Sequence, residues 1–278
     1  MRGEMVTCWL KMLAILADGR GEAWVSSLRG PSDSSGRPVL GGHYSRHYRR
    51  GVELILVRHG QPDWAPGRIA SNNPHLSELG ARQAELVAQA ARHWGQVDEI
   101  WMSPLNRARE TAAPIADVLG LEPQLHEWTE EIGNPPDWEG SPIDLIEDAW
   151  MKANLRTMDE MWQGMPGGES FRVFHHRVVG GLESALGERA IKRLEDGHPH
   201  LWQVADERRI VVVAHGGTNA VITGALLGLE PTPWEWDRFE SPHTGVAKMA
   251  TLHIAHGSAF SLKVFGDITH LDPAMVTR

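Results

Sequence analysis

Glu53-Leu54-Ile55-Leu56-Val57-Arg58-His59-Gly60 is the stretch on which the fold turns. A short apolar run delivers an Arg-His-Gly turn to its end. A second stretch, Ile210-Val211-Val212-Val213-Ala214-His215-Gly216-Gly217, repeats the arrangement with another histidine. Runs this short, rich in branched side chains and closed by glycine, read as strands buried on both faces of a parallel sheet. In open α/β sheets ligands collect beyond the carboxyl ends of the strands. Two histidines and an arginine, far apart in sequence, are therefore expected at one site.

Around these strands the pattern is α/β. After the first strand, about 53–58, comes a loop with Pro62, Pro66, Gly67 and Asn72-Asn73-Pro74. Ser77 and Gly80 start a helix whose apolar positions Leu79, Ala84, Val87, Ala91 and Trp94 keep helical spacing. A strand over 99–102 ends at Ser103-Pro104, and a helix over 105–119 stops at Gly120. Residues 128–140 form a loop rich in acids, Pro and Gly, and 141–165 are amphipathic and rich in Met and Trp. A long helix is expected over 170–194, another over 218–227, and a closing pair of strands over 246–254 and 260–265, at a sheet edge. The fold class that follows is a mostly parallel, doubly wound sheet with helices on both faces and a small helical cap insertion, about 133–165.

The chain has 278 residues and a net charge of −9. That length suits one large domain. An acidic balance argues against nucleic acid as a partner. Residues 1–50 stand apart, with eight Lys/Arg against four acids. They also contain the breaker-rich Gly30-Pro31-Ser32-Asp33-Ser34-Ser35-Gly36-Arg37-Pro38 and the lone cysteine, Cys8. Residues 1–51 therefore read as a poorly packed extension and 52–278 as the domain. One cysteine allows no intrachain disulfide, which fits a reducing, cytoplasmic setting. The stretch Cys8–Ala17 faintly resembles a signal peptide, but Lys11 interrupts it. No apolar run is long enough to span a membrane, so no membrane partner is expected.

A phosphate dianion wants guanidinium forks and backbone N–H groups at helix starts. Arg58 and Arg107 are the candidate forks, and Gly216-Gly217 opens a helix whose amides can approach an anion. Arg109, two residues on, faces away and reads as a surface charge. A neutral histidine nitrogen can attack phosphorus directly, provided an acceptor fixes its tautomer. A second histidine can stabilise the transferring oxygens, and a carboxylic acid can protonate the leaving oxygen. No His-Glu-x-x-His or comparable metal spacing occurs, and no Walker-type loop or dinucleotide glycine fingerprint. His175-His176 lies within one helix and makes a poor metal pair.

Five blocks in order, Arg58-His59-Gly60-Gln61-Pro62-Asp63-Trp64, Ser103-Pro104-Leu105-Asn106-Arg107-Ala108, Trp128-Thr129-Glu130-Glu131-Ile132 with Asp137-Trp138-Glu139-Gly140, Gly167-Gly168-Glu169-Ser170 and Ala214-His215-Gly216-Gly217, resemble the histidine phosphatase superfamily, also called phosphoglycerate-mutase-like. The resemblance implies that His59 is the nucleophile, that Arg58, Arg107 and His215 bind the phosphoryl group, and that Glu131 is the proton donor. Glu130 competes for that last role, because the acid loop is one residue longer than the common pattern, and Glu127 does so more distantly. The family often has Asn after the motif's Trp; here Ala65 stands there, and Arg68, Ser71 or Asn72 is the expected substitute. His243, in Ser241-Pro242-His243-Thr244-Gly245, sits where a loop could rim the site.

The implied activity is metal-independent hydrolysis of a small phosphomonoester through a phosphohistidine, with no cofactor. Two alternatives stay open: a phosphoglycerate-type mutase, and a catalytically weak phospho-ligand-binding protein. The carboxylate-binding basic set of the mutases is not evident beside the acid loop, which holds acids, prolines and Trp. That favours hydrolysis.

Overall fold

A computed structural model describes residues 51–153, 155–195, 198 and 200–278. The expected extension falls almost wholly outside them.

Among the described residues, eight strands form one sheet: β1 (Val52–Arg58), β2 (Glu99–Met102), β3 (Gln124–Leu125), β4 (Ile191–Arg193), β5 (Trp202–Val204), β6 (Arg208–Ala214), β7 (Val246–Ile254) and β8 (Gly257–Asp267). Their spatial order is β3-β2-β6-β1-β7-β8-β5-β4. The β3-β2-β6-β1 block is parallel, as expected. From β1 onward each neighbour runs antiparallel, so the sheet is mixed and not mostly parallel. The closing pair β7 and β8 lies inside the sheet, not at its edge, because β5 pairs on the far side of β8. The edges are β3 and β4, two and three residues long. Edge strands this short offer little backbone for a second chain to pair with.

The helices are α1 (Glu78–Ala91), α2 (Asn106–Leu119), α3 (Ile143–Ala153), α4 (Met158–Gln163), α5 (Phe171–Gly187), α6 (Gly216–Leu226) and α7 (Glu235–Arg238). Alternation along β1 and β6 sorts them onto two faces. Leu54, Leu56, Ile210 and Val212 pack with Phe174, Val178 and Leu182 of α5 and Val221 and Ile222 of α6. Ile55, Val57, Val211 and Val213 pack with Val87 and Ala91 of α1 and Ala112 and Ile115 of α2. Both strands are thus buried on both sides, which is why they read as continuous apolar runs.

Helix ends follow local chemistry. The Ser77 Oγ accepts from the Gly80 N–H at 3.0 Å to start α1, and the Ser170 Oγ accepts from the Val173 N–H at 3.2 Å to start α5. Gly120, at φ 66°, closes α2 in the left-handed conformation. The long helix expected over 170–194 stops at Gly187 instead. Ala190 turns left-handed at φ 55° and the chain leaves as β4, which places Ile191 in the core. Helical spacing persists in 188–194, and pairing with β5 overrides it.

Candidate active site

The registers bring three strand ends level: Arg58 lies opposite Ala214 and Met102 opposite Val213. The next residue of each strand is then His59, His215 and Ser103, all buried. The His59 and His215 rings sit 5.1 Å apart at 60°. Arg107 joins them from the first turn of α2.

The ring of His59 is fixed by two bonds. Its Nδ1 lies 2.7 Å from the Gly60 carbonyl oxygen, and its Nε2 accepts from Arg107 Nε at 3.2 Å. A carbonyl only accepts and a guanidinium only donates, so the proton is on Nδ1 and the lone pair on Nε2. The Thr111 Oγ1 accepts from the Gly60 N–H at 2.9 Å and steadies that turn. Burial, then the nearby His215, Arg107 and Arg58, pushes His59 well below the ordinary histidine value. His215 is pushed down the same way, by burial first and then by Arg107, Arg58 and Arg177. Its Nε2 lies 2.8 Å from the Ser103 Oγ.

Three buried nitrogens at this spot have no hydrogen-bond partner among the described residues: Arg58 Nε, Arg107 Nη1 and His215 Nδ1. Each such group costs about 1–3 kcal/mol unless something satisfies it. Two guanidiniums and a ring nitrogen clustered in this way suit a multivalent oxyanion. Burial also lowers Arg58, and Arg107 to about 10, while Glu131 opposes the shift in both. Both remain cations near neutrality.

Glu131 is the carboxylate of the cluster. Its Oε2 accepts from the Gly217 N–H at 2.9 Å, at the start of α6. A Cβ at Gly217 would stand 2.5 Å from Glu131 Oε1. The glycine that space demands is therefore Gly217; at Gly216 a Cβ would meet Arg58 only at an ordinary 3.5 Å. Gly216 and Glu130 both line the cleft. The Glu130 carbonyl is tied down by Thr218 Oγ1 at 2.9 Å and Arg177 Nη1 at 3.1 Å.

His243 is drawn in, one shell further out. Arg58 Nη2 donates to its Nε2 at 3.2 Å, and its Nδ1 lies 2.8 Å from Thr277 Oγ1. Burial, followed by the charge of Arg58, takes His243 down to about 3. Asn72 lines the cleft, with its amide Nδ2 donating to the Pro135 carbonyl at 3.2 Å. Arg68 and Ser71 do not take over from the missing Asn: Arg68 pairs with Asp144, and Ser71 reaches Glu139. Arg109 is exposed, as expected.

Four contributors had no assigned role in the sequence. Ser103 orients His215. Arg177 of α5 donates to the carbonyls of Trp128, Glu130 and Glu131 and pairs with Glu169 at 2.7 Å, clamping the acid loop. The Trp64 ring lies 4.9 Å from the Arg107 guanidinium. Arg278 lines the cleft, bonded to Glu240 at 3.0 Å. Ser103, Trp64 and Glu169 lie within the quoted motifs, but nothing local marks Arg177 or Arg278.

The sequence model of the histidine phosphatase superfamily (branch 1) matches residues 54–264. Phosphoserine phosphatase 1 of Hydrogenobacter thermophilus is 31% identical over 182 residues, covering 64% of this chain and 78% of its own. A protein of Yersinia pestis named "Probable phosphoglycerate mutase GpmB" is 31% identical over 188 residues, covering 64% of this chain and 76% of its own. Among solved structures, a mycobacterial glucosyl-3-phosphoglycerate phosphatase in complex with VO3 superposes with a TM-score of 0.58 at 26% identity, covering 77% of this chain and 98% of that one. The matched span runs through His59, Arg107, Glu131 and His215, and the chain belongs to the histidine phosphatase superfamily.

Proposed function

We propose that the protein is a metal-independent phosphomonoester hydrolase that works through a phosphohistidine at His59. The observation that carries this is the tautomer of His59, with Nδ1 held by Gly60 and the lone pair at Nε2 beside Arg107. In the first step Nε2 attacks phosphorus, the P–N bond forms, and the ester P–O bond breaks. Glu131 gives its proton to the departing alkoxide. Arg58, Arg107, Gly216 and His215 Nδ1 hold the equatorial oxygens, whose charge peaks in transit. In the second step Glu131, now a carboxylate, takes a proton from water as that water attacks phosphorus. The P–N bond breaks, inorganic phosphate leaves, and His59 returns to its neutral tautomer.

Relatives named as phosphatases support hydrolysis. A relative named as a mutase supports the second reading; that reading requires retention of the phosphoryl group and a phosphorylated primer. Glu131 is preferred to Glu130 as the acid because its carboxylate is anchored at the Gly217 N–H, beside the two arginines. His243 and Ser103 are positioning residues, and Asn72 borders the entrance. Residues 133–165 serve as a cap, with α3 and α4 as its helices. Residues 52–278 form the catalytic domain and 1–51 an extension dispensable for it. We place the protein in the cytoplasm; among the described residues no helix is long and apolar enough to cross a membrane.

The test is hydrolysis of para-nitrophenyl phosphate in EDTA by the wild type and by His59→Ala. The expected outcome is EDTA-resistant turnover that vanishes in the variant. Turnover that EDTA abolishes, or that survives His59→Ala, overturns the proposal.

A further inference from the structure

The phosphate cradle and the cleft it opens into together enclose about 530 Å³. That volume lies in the range that encloses whole drug-sized ligands, about 300–1,000 Å³. A second recess of about 170 Å³ adjoins it. Ile132, Asn134, Trp150, Trp236 and Asp237 line both, so the two share a wall.

The walls are aromatic and already braced. Trp150 meets Trp138 edge-on at 5.9 Å, and Trp236 meets Phe171 edge-on at 5.9 Å. Trp150 is nonetheless 43% exposed, and Trp64, on the cradle side, 41% exposed. Braced indoles left open to solvent around one cleft mark a binding surface rather than unfinished core.

The charges point one way. Glu130, Asp237 and Glu240 line the cleft outside the cradle. The cations there are already engaged. Arg278 donates to Glu240 at 3.0 Å, and in the recess Arg156 donates to the Glu160 carbonyl and to Met165 Sδ. A leaving group bearing its own carboxylate would face Glu130, Asp237 and Glu240, and Arg278 beside them already pairs with Glu240. A ring bearing a donor or a positive charge would stack on indole and meet Asp237.

We propose that this cleft selects phosphomonoesters whose leaving group is a planar ring carrying an N–H donor or a positive charge, and no carboxylate. The proposal rests on the phosphatase reading, since it takes the phosphoryl group to sit in the Arg58–Arg107 cradle.

The test compares 2-(indol-3-yl)ethyl phosphate with 3-phosphoglycerate and O-phosphoserine. All are esters of alkyl alcohols, so leaving-group acidity differs little. The indolyl ester is expected to lead in kcat/KM by about tenfold or more, a factor that modest stacking and charge terms supply. Trp236→Ala and the exposed Asp237→Lys are each expected to shrink that ratio at least severalfold, through KM. Equal or better use of the carboxylate esters by the wild type, or a ratio unmoved in Asp237→Lys, overturns the proposal. If no ester is hydrolysed in a His59-dependent way, the phosphatase reading fails separately. Calorimetry of the same ligands on the wild type then decides the subsite: tighter binding of the indolyl ester sustains it, and equal or weaker binding overturns it.

Discussion

At Nε2 of His59 two requirements meet that oppose each other. The nitrogen must keep a lone pair, yet it stands among cations that would stabilise an approaching dianion. Burial and the neighbouring arginines meet both, because they disfavour a proton on the ring. In the proposed mechanism Glu131 supplies the proton that the leaving oxygen needs, and this role would separate it from Glu130. Glu131→Gln is expected to slow alkyl phosphates by about 10²–10³-fold, the usual worth of general acid catalysis, while para-nitrophenyl phosphate slows far less. Glu130→Gln, measured on the same pair of substrates, is expected to move both by only a few-fold. Equal losses on both substrates in Glu131→Gln would remove it as the acid.

The elements matter through where they begin. The start of α6 holds Gly217, and its N–H is what aims the Glu131 carboxylate. Gly217→Ala would put a methyl group 2.5 Å from Glu131 Oε1 and force the carboxylate aside. The expected result is the leaving-group signature of Glu131→Gln in a protein that still folds, read as kcat on alkyl against aryl phosphates. α5 contributes from the other side, since Arg177 gathers three carbonyls of the acid loop and Glu169 bonds the Gly133 N–H at 3.0 Å. The Gly167-Gly168-Glu169-Ser170 motif thus both caps a helix and fastens the loop that carries the acid.

On the scale of the molecule, six histidines held below their ordinary value make stability depend on pH, the three at the site most strongly. His59 and His215 are held well below 6.5, and His243 at about 3. The unfolded chain takes up those protons near 6.5 and the fold refuses them, so stability rises with pH across this window. Acidifying from pH 7 to 5.5 is expected to cost on the order of 1 kcal/mol per histidine of the site, seen as a falling Tm. The slope should be shallower in His243→Gln. Depressed carboxylates such as Glu99 act lower, below their ordinary value of 4.5. A chain beginning at residue 51 holds every core and site residue named above, and it is expected to match the full chain in Tm and turnover. A clear loss of either would show that the extension contributes.

The parallel block, its two histidines and the ordered motifs were legible in the sequence, because strands buried on both faces must be apolar throughout. Their glycine-closed ends mark where chemistry can gather. Of the antiparallel half, the pair β7 and β8 was legible as strands, but its place inside the sheet and the two strands beyond it were not. β4 and β5 are three residues each, too short for any period, and Ala190 breaks a helical pattern that continues past it. Nor was the tautomer of His59, the bracing of Trp150 or the reach of Arg177 and Arg278 into the site. Residue types and their order determined the family and the phosphate chemistry, because these need particular side chains at strand ends and helix starts. Only tertiary structure decided which atoms meet, because hydrogen bonds and cavity walls form between residues that the chain itself keeps far apart.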